Sequence, residues 1–142
     1  MVEAKEFINY LCNELEFRFF SGVPCVELQL FYNEMNSDFL HYVPAVNETT
    51  AVGIVSGMWL SGTNGCVIID SKKIDSVRPI LDYVSFKLKI PALFVLGGDF
   101  KSDWLHTVSL NKSYKKQLNS IINYMDSEKL PSGILLKEGF LS

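Results

Sequence analysis

The sequence predicts an α/β fold in which helices cover both faces of an open, mostly parallel sheet. Short apolar segments alternate along the chain with longer segments that have helical periodicity. Two of the short segments, GCVIID (65–70) and PALFVLGG (91–98), are almost continuously apolar, which is typical of strands buried on both faces of a parallel sheet. Apolar residues make up 48% of the 142 residues, so the chain can build a substantial core around such a sheet.

The first half of the chain is predicted to contain three helices and two strands. In order, these are a helix over 3–17, a strand over 18–24, a helix over 25–36, a strand over 39–46 and a helix over 48–62. The first helix has its apolar residues on one face, at Phe7, Ile8, Leu11 and Leu15. Pro24 can open the second helix, and Gly62 can close the third, which is rich in small residues.

The second half is predicted to continue the alternation of strands and helices. In order, these are a strand over 65–70, a helix within 75–88 that begins after Pro79, a strand over 91–98, a helix over 113–129 and a strand over 132–139. The helix over 113–129 is amphipathic, with inward-facing residues at Leu118, Ile121, Ile122 and Met125. No repeat or linker interrupts these elements, so residues 1–142 are predicted to form a single domain.

Charge and composition argue against several classes of protein. The net charge is −3 and no basic stripe with interleaved aromatics occurs, so nucleic acid is not an expected partner. The longest apolar runs are about ten residues, too short to span a membrane, and MVEAKEFINY lacks the features of a signal peptide. Cys12, Cys25 and Cys66 are far apart and form no CxxC pair, which predicts no metal site or disulfide. We therefore expect a cytoplasmic location.

Ligands of open parallel sheets bind outside the carboxyl ends of the strands. Three loops meet this condition, over residues 45–50, 70–76 and 97–106. The first contains Glu48, an acid at the start of an apolar helix. It is either a carboxylate placed there by the helix dipole, with Asn47 as the N-cap, or a functional carboxyl with a raised pKa.

The other two loops contain weaker candidates. Gly97 and Gly98 could cradle a phosphate, but they match no phosphate-binding motif, and a loop that needs close backbone approach is the simpler interpretation. Lys72 and Lys73 could meet an anionic substrate, or they could belong to a solvated loop. His106 and an acid three residues earlier are too few ligands for a metal site.

Five segments of the chain resemble a known family. FRFFSGVPCVEL (17–28) is similar to FFxGVPDSxL, and VPAVNETTAVGIVSGMWLSG (43–62), the most specific match, is similar to AANEGNAVAxAAGYxLATG. IPALFVLGG (90–98), DWLH (103–106) and SGILLKEGFL (132–141) resemble IPMLLIIGW, DEPQH and the last strand of the same domain. The chain thus resembles the pyrimidine-binding (Pyr) domain of thiamine-diphosphate-dependent 2-oxoacid decarboxylases, in particular the phosphonopyruvate and sulfopyruvate decarboxylase group.

The resemblance implies roles for individual residues. Glu48 falls on the family's cofactor glutamate, which bonds N1′ of the aminopyrimidine and so activates thiamine diphosphate as an electron sink for decarboxylation. Pro24, Asn47 and Val52 are expected to contact the cofactor. Ser71, which matches the family's substrate loop, and His106 are expected to contact the substrate. Lys72 and Lys73, where the chain departs from that loop, could supply positive charge for an anionic 2-oxoacid.

One departure from the family pattern shapes the expected assembly. The family's diphosphate- and magnesium-binding (PP) domain, with its GDG…N signature, is absent, so a separate PP subunit is expected to hold Mg²⁺. We therefore expect a hetero-oligomer with at least two copies of each chain.

The substrate loops also differ from the family, because QNSGLGNxxNP is replaced by IDSKKIDSVRP (69–79) and the acid after GVP by Cys25. Two alternatives to a decarboxylase subunit therefore stay open. One is a non-catalytic relative that acts as a partner or regulatory subunit, and the other is a free-standing module that binds a small anion.

Overall fold

A computed structural model describes residues 1–101 and 103–142 and confirms the predicted α/β class. Its described strands are β1 (Phe19–Gly22), β2 (His41–Pro44), β3 (Gly65–Asp70), β4 (Leu93–Gly97), β5 (His106–Ser109) and β6 (Ser132–Leu136). They form one sheet in the order β2-β1-β3-β4-β6-β5. All five strand pairings are parallel, whereas the sequence predicted a sheet that is mostly parallel.

Helical segments connect the strands. The α-helices are α1 (Ala4–Asn9), α2 (Gln29–Tyr32), α3 (Glu48–Leu60), α4 (Arg78–Ile80) and α5 (Tyr114–Glu128). A π-helical turn, Tyr10–Glu14, extends α1, and a second, Leu81–Phe86, extends α4. Turns of 3-10 helix, Val26–Leu28 and Ser71–Val77, precede α2 and α4.

The sheet has a core on each face because successive strand residues point to opposite sides. On one face, α1, α2 and α5 cover a core whose fully buried aromatic residues are Phe7, Phe17, Phe20 and Phe31. On the other face, α3 and the segments around α4 cover Val67, Ile69, Phe94 and Leu96. The predicted inward residues of α5 are buried, except that Ile122 is only partly buried.

Several elements differ from the sequence prediction. The helix predicted over 25–36 is shorter, since Cys25 is extended and the chain leaves the helix for turns after Tyr32. Asparagine and serine favour turns over helix interiors, and Asn33, Asn36 and Ser37 follow at this point.

The helix predicted to begin after Pro79 begins earlier, since the 3-10 turn Ser71–Val77 leads directly into α4 at Arg78. Proline is tolerated in the first turn of a helix, where its missing N–H would have no partner. The strand predicted over 132–139 ends at Leu136. A further difference is β5, an edge strand that begins at the last residue of the predicted loop 97–106. Residue 102 of that loop lies outside the described residues.

The carboxyl ends of all six strands meet at one edge of the sheet, which we call the carboxyl edge. At this edge the chain ends meet as well: Val2 and Leu141 form a parallel bridge, and Ser142 N–H donates to the Val2 carbonyl at 2.8 Å. The first turn of α3 and the 3-10 turn after β3 also begin here. Two of the three predicted ligand loops, 45–50 and 70–76, therefore lie at the carboxyl edge, and the third, 97–106, begins there after β4.

Candidate functional site

Glu48 is the first residue of α3 and lies at the carboxyl edge. The predicted N-cap is confirmed, because the Asn47 side chain accepts a hydrogen bond from the Thr50 N–H at 2.8 Å. Glu48 is half-buried, and within the described residues no ion pair or side-chain hydrogen bond joins its carboxylate. The helix start thus presents a carboxylate whose hydrogen-bonding capacity is unused.

The loop that leads to Glu48 is fixed to the end of β1. The carbonyl of Gly22 accepts two hydrogen bonds, one from the Ala45 N–H at 3.1 Å and one from the Tyr42 hydroxyl at 3.2 Å. Residue 22 must be small, since a Cβ there would overlap the Ile68 carbonyl and lie 2.6 Å from the Tyr32 hydroxyl. Gly22 therefore anchors the chain three residues before Glu48 begins the helix.

Tyr32, at the end of α2, lies beside this anchor. Its ring packs edge-on against Tyr42, with centroids 5.8 Å apart. The Tyr32 hydroxyl is buried next to the hydroxyl of Tyr42, and the two groups interact at the margin of hydrogen-bond geometry. Burial raises the pKa of Tyr32, and the neighbouring Tyr42, Cys25 and Glu48 raise it further. We refer to Gly22, Tyr32, Tyr42, Asn47 and Glu48 as the Glu48 region.

A second group of polar residues follows β1, β3, β4 and β6 at the same edge. Lys72 pairs with Glu27 at 3.5 Å, and Lys137 pairs with Asp99 at 3.7 Å. Ser71 is buried next to Lys72. A cavity of about 580 Å³, lined in part by Glu27, Asp99 and Lys137, separates the two pairs. We refer to Glu27, Ser71, Lys72, Asp99 and Lys137 as the ion-pair region.

The glycine pair after β4 serves close packing. A Cβ on Gly97 would lie 2.7 Å from the Leu28 side chain, and one on Gly98 would lie 2.9 Å from the Ser71 hydroxyl. Gly98 also has a φ of +95°, which favours glycine. Gly97 therefore serves close backbone approach, which is the simpler interpretation of the sequence, while Gly98 also lines the cavity of the ion-pair region.

The structure brings some predicted site residues together and separates others. Pro24 is exposed between β1 and the 3-10 turn before α2, and Lys73 is exposed next to Lys72. Val52 is fully buried in the core beneath α3, so its side chain offers no surface to a cofactor. His106 begins β5 at the opposite edge of the sheet, where its ring stacks on Tyr124 with centroids 4.1 Å apart.

The small residues of α3 divide between its two sides. Ala51 and Ser56 are buried against the sheet. Gly53 and Gly57 are exposed, and a Cβ added to either would meet no atom within 4 Å. Close packing of the helix on the sheet therefore accounts for Ala51 and Ser56. Gly53 and Gly57 instead leave the outer face of the helix open.

Tyr32 and Tyr42 were missed by the sequence analysis. They are ten residues apart and belong to different elements, so no local motif connects them. Among the described residues, no cluster of three or more histidine, cysteine, aspartate or glutamate side chains could hold a metal ion. In that same part of the chain, no helix combines the length and apolar character needed to cross a membrane.

The fold is similar to two solved structures. Benzoylformate decarboxylase from Polynucleobacter necessarius matches 96% of this chain with a TM-score of 0.79 and 17% identity. A protein from Mycobacterium smegmatis assigned as a thiamin diphosphate-dependent enzyme matches 95% with a TM-score of 0.78 and 11% identity. This chain spans 30% of the length of each.

Comparison at the sequence level gives a different result. No family model matches the sequence, and no curated protein matches it. Similarity at 11% and 17% identity shows a shared fold and carries no residue roles. The chain therefore has the α/β fold of the Pyr domains of thiamine-diphosphate-dependent enzymes.

Proposed function

We propose that this chain is the Pyr-type subunit of a thiamine-diphosphate-dependent 2-oxoacid decarboxylase and works together with a separate PP subunit. The observation that carries the proposal is Glu48, a half-buried carboxylate that starts α3 at the carboxyl edge and has no partner within the described residues. A helix N-terminus favours the charged form of a carboxylate. A group so placed can hold a proton on a ring nitrogen of a bound ligand.

The residues of the Glu48 region fit one part of the cofactor. A carboxylate suits the aminopyrimidine ring, and Asn47 and Pro24 are proposed as further contacts of that ring, whereas the described residues include no ligand cluster for Mg²⁺. The diphosphate and Mg²⁺ therefore fall to the partner subunit in this proposal. When bound, thiamine diphosphate supplies the electron sink for the release of carbon dioxide from a 2-oxoacid. Glu48 contributes proton transfer at N1′, an effect of about 10²–10⁴-fold in rate for such groups.

The surface around Glu48 supports the proposed partner. Val46 is 88% exposed and Val43 is 36% exposed, although both are apolar. Gly53 and Gly57 leave the outer face of α3 open to close backbone approach. Exposed apolar residues next to an open helix face are features of protein interfaces. We infer a cytoplasmic hetero-oligomer with at least two copies of each chain, in which the PP subunit covers this surface.

The substrate in this proposal is an anionic 2-oxoacid related to phosphonopyruvate or sulfopyruvate. Ser71, Lys72 and Lys73 lie at the carboxyl edge, where they can meet its anionic end. Lys72 is 78% exposed and its pair with Glu27 at 3.5 Å is solvent-screened, so a substrate anion can replace that carboxylate. Lys73 adds a second positive charge. His106 lies at the opposite edge of the sheet. If it binds substrate, it must do so at a different place from Lys72 and Lys73.

The decisive experiment replaces Glu48 in the complex with its PP partner. Glu48→Gln keeps the shape of the side chain and removes its acid–base function, so turnover should fall by about 10²-fold or more. Glu128→Gln is the control, because Glu128 is an exposed glutamate at the last residue of α5, away from the carboxyl edge, and turnover should be unchanged. Full turnover after Glu48→Gln would refute the catalytic role and favour a non-catalytic Pyr-fold subunit.

A binding measurement tests the two-chain arrangement. Calorimetry of the isolated chain with thiamine diphosphate and Mg²⁺ should give no tight binding, whereas the complex with the PP subunit should bind. Tight binding by the isolated chain would refute the need for a partner.

A further inference from the structure

The ion pair between Glu27 and Lys72 joins two loops that leave the sheet toward opposite faces. Glu27 lies in the 3-10 turn that leads from β1 to α2 on one face, and Lys72 lies in the turn that leads from β3 to α4 on the other. β1 and β3 are neighbours in the sheet. In open parallel sheets, ligands bind in the crevice between neighbouring strands whose connections leave in opposite directions. The pair therefore bridges the two sides of a crevice in which a ligand is expected.

The same crevice lies next to Glu48. The strand order is β2-β1-β3, and Glu48 starts the helix that follows β2. Since neighbouring strands lie about 4.8 Å apart, the strands before Glu48 and before Lys72 are separated by about 10 Å. Glu48 and Lys72 thus follow the two strands that flank β1. A 2-oxoacid whose reacting carbon lies on the side of Glu48 can direct its other end toward Lys72.

The backbone is held on both sides of the ion pair. Leu28, next to Glu27, is buried, and its side chain would lie 2.7 Å from a Cβ on Gly97. The Lys72 N–H donates a hydrogen bond to the Asp70 carboxylate at 3.0 Å. Opening the pair therefore requires only the rotation of two side chains.

The pair is weak enough to open and strong enough to compete with a ligand. The Lys72 side chain is 78% exposed and that of Glu27 is 35% exposed, so water screens their attraction. An anion binds only those molecules in which Lys72 is free, and its apparent affinity falls in proportion to that fraction. Lys73 is exposed, and no ion pair within the described residues involves it, so it has no such internal competitor.

We propose that Glu27 is a specificity-determining residue, whose carboxylate occupies Lys72 in the free chain and is displaced by the second anionic group of a 2-oxoacid. This inference rests on the proposed function, since it concerns a lysine that the proposed function assigns to the substrate. Glu27 lowers the affinity only for substrates that carry the second anionic group. A 2-oxoacid without one, such as pyruvate, leaves the pair intact. Glu27 therefore sets how far the chain favours doubly anionic over singly anionic 2-oxoacids.

The test is Glu27→Gln in the complex with the PP subunit, thiamine diphosphate and Mg²⁺. The KM for sulfopyruvate should fall about 2- to 5-fold with kcat unchanged, which corresponds to the strength of exposed ion pairs. The KM for pyruvate, or its inhibition constant if it is not turned over, should stay the same. The difference in KM between the variant and the wild type should shrink from about 0.05 M to about 0.5 M salt, because ions screen exposed charges.

Two controls make the result specific. Asp82 pairs with Arg78 at 4.0 Å, and both side chains are more than half exposed, so Asp82→Asn removes the same charge from a different exposed pair. It should leave the KM for sulfopyruvate and for pyruvate unchanged. In a chain that already carries Lys72→Ala, the further change Glu27→Gln should have no effect on KM, because Glu27 acts through that lysine.

Binding of inorganic sulfate to the isolated chain gives a readout that does not depend on turnover. Titration followed by the NMR shift of the Lys72 amide should give a dissociation constant about 2- to 5-fold lower in Glu27→Gln than in the wild type. An equal response of the two chains to sulfate would overturn the inference, as would an unchanged KM for sulfopyruvate. Failure of the proposed function has a different signature, namely wild-type turnover in Glu48→Gln, and the sulfate titration does not depend on that result.

Discussion

The Glu48 region and the ion-pair region lie at the same edge of one sheet but use their polar groups differently. In the ion-pair region, Lys72 and Lys137 each pair with a carboxylate. In the Glu48 region, the carboxylate of Glu48 has no ion-pair or side-chain hydrogen-bond partner within the described residues. Paired exposed charges contribute little stability. The difference leaves the hydrogen-bonding capacity of Glu48 free for a ligand.

The largest expected effect on stability comes from Gly22→Ala. The added Cβ would overlap the Ile68 carbonyl and crowd the Tyr32 hydroxyl, so the free energy of unfolding should fall by about 2–3 kcal/mol. Urea denaturation of the isolated chain measures it. Gly53→Ala is the control, since its Cβ meets no atom within 4 Å and alanine favours the helix by about 0.5–1 kcal/mol. Equal stability of the Gly22→Ala variant and the wild type would show that the anchor is loose.

Asn47→Ala should have an intermediate effect. It removes the side-chain acceptor of the Thr50 N–H and should lower the free energy of unfolding by about 1 kcal/mol. Thermal or urea denaturation measures the change, and Asn47→Asp, which keeps an acceptor oxygen, should retain most of the stability. If alanine costs nothing, the cap does not hold the start of α3, and the orientation of Glu48 must come from the Gly22 anchor alone.

The smallest effect on stability is expected in the ion-pair region. Replacing Lys72 and Lys73 with alanine should change the free energy of unfolding by no more than about 0.5 kcal/mol, because the Lys72 pair is exposed. The same variant in the complex should raise the KM for an anionic 2-oxoacid several-fold. Lys137→Ala is the control. Its effect on the free energy of unfolding should be as small as that of the double variant, and the KM should stay unchanged. An unchanged KM in the double variant would remove the two lysines from substrate binding.

Elements with a strong local pattern could be predicted from the sequence. The apolar segment GCVIID became β3 with the predicted bounds, and the amphipathic helix became α5 within one residue at each end. Asn47 was predicted as an N-cap because its preference for that position is local. The edge strand β5 was missed, since it is four residues long and Val108 is its only aliphatic residue. Edge strands lack the continuous apolar pattern of central ones.

The tyrosines of the Glu48 region could not be predicted for a different reason. Tyr32 meets Gly22 only because α2 packs beside the end of β1, and Tyr42 meets it only through the register of β1 with β2. Such contacts depend on how the elements are arranged in space. Glu48 and its helix are therefore identifiable from local sequence, whereas the groups around the carboxylate come together only in the fold.

The parallel bridge between Val2 and Leu141 has a consequence for engineering the molecule. It holds Val2 and Leu141, each one residue from an end of the described chain, side by side at the margin of one core. A linker of a few residues could join them into a circular backbone without disturbing any strand pairing. Closing the backbone reduces the conformational entropy of the unfolded chain and leaves the folded contacts unchanged. The joined chain could then be reopened at an exposed loop, so that a permuted version carries the same Glu48 region.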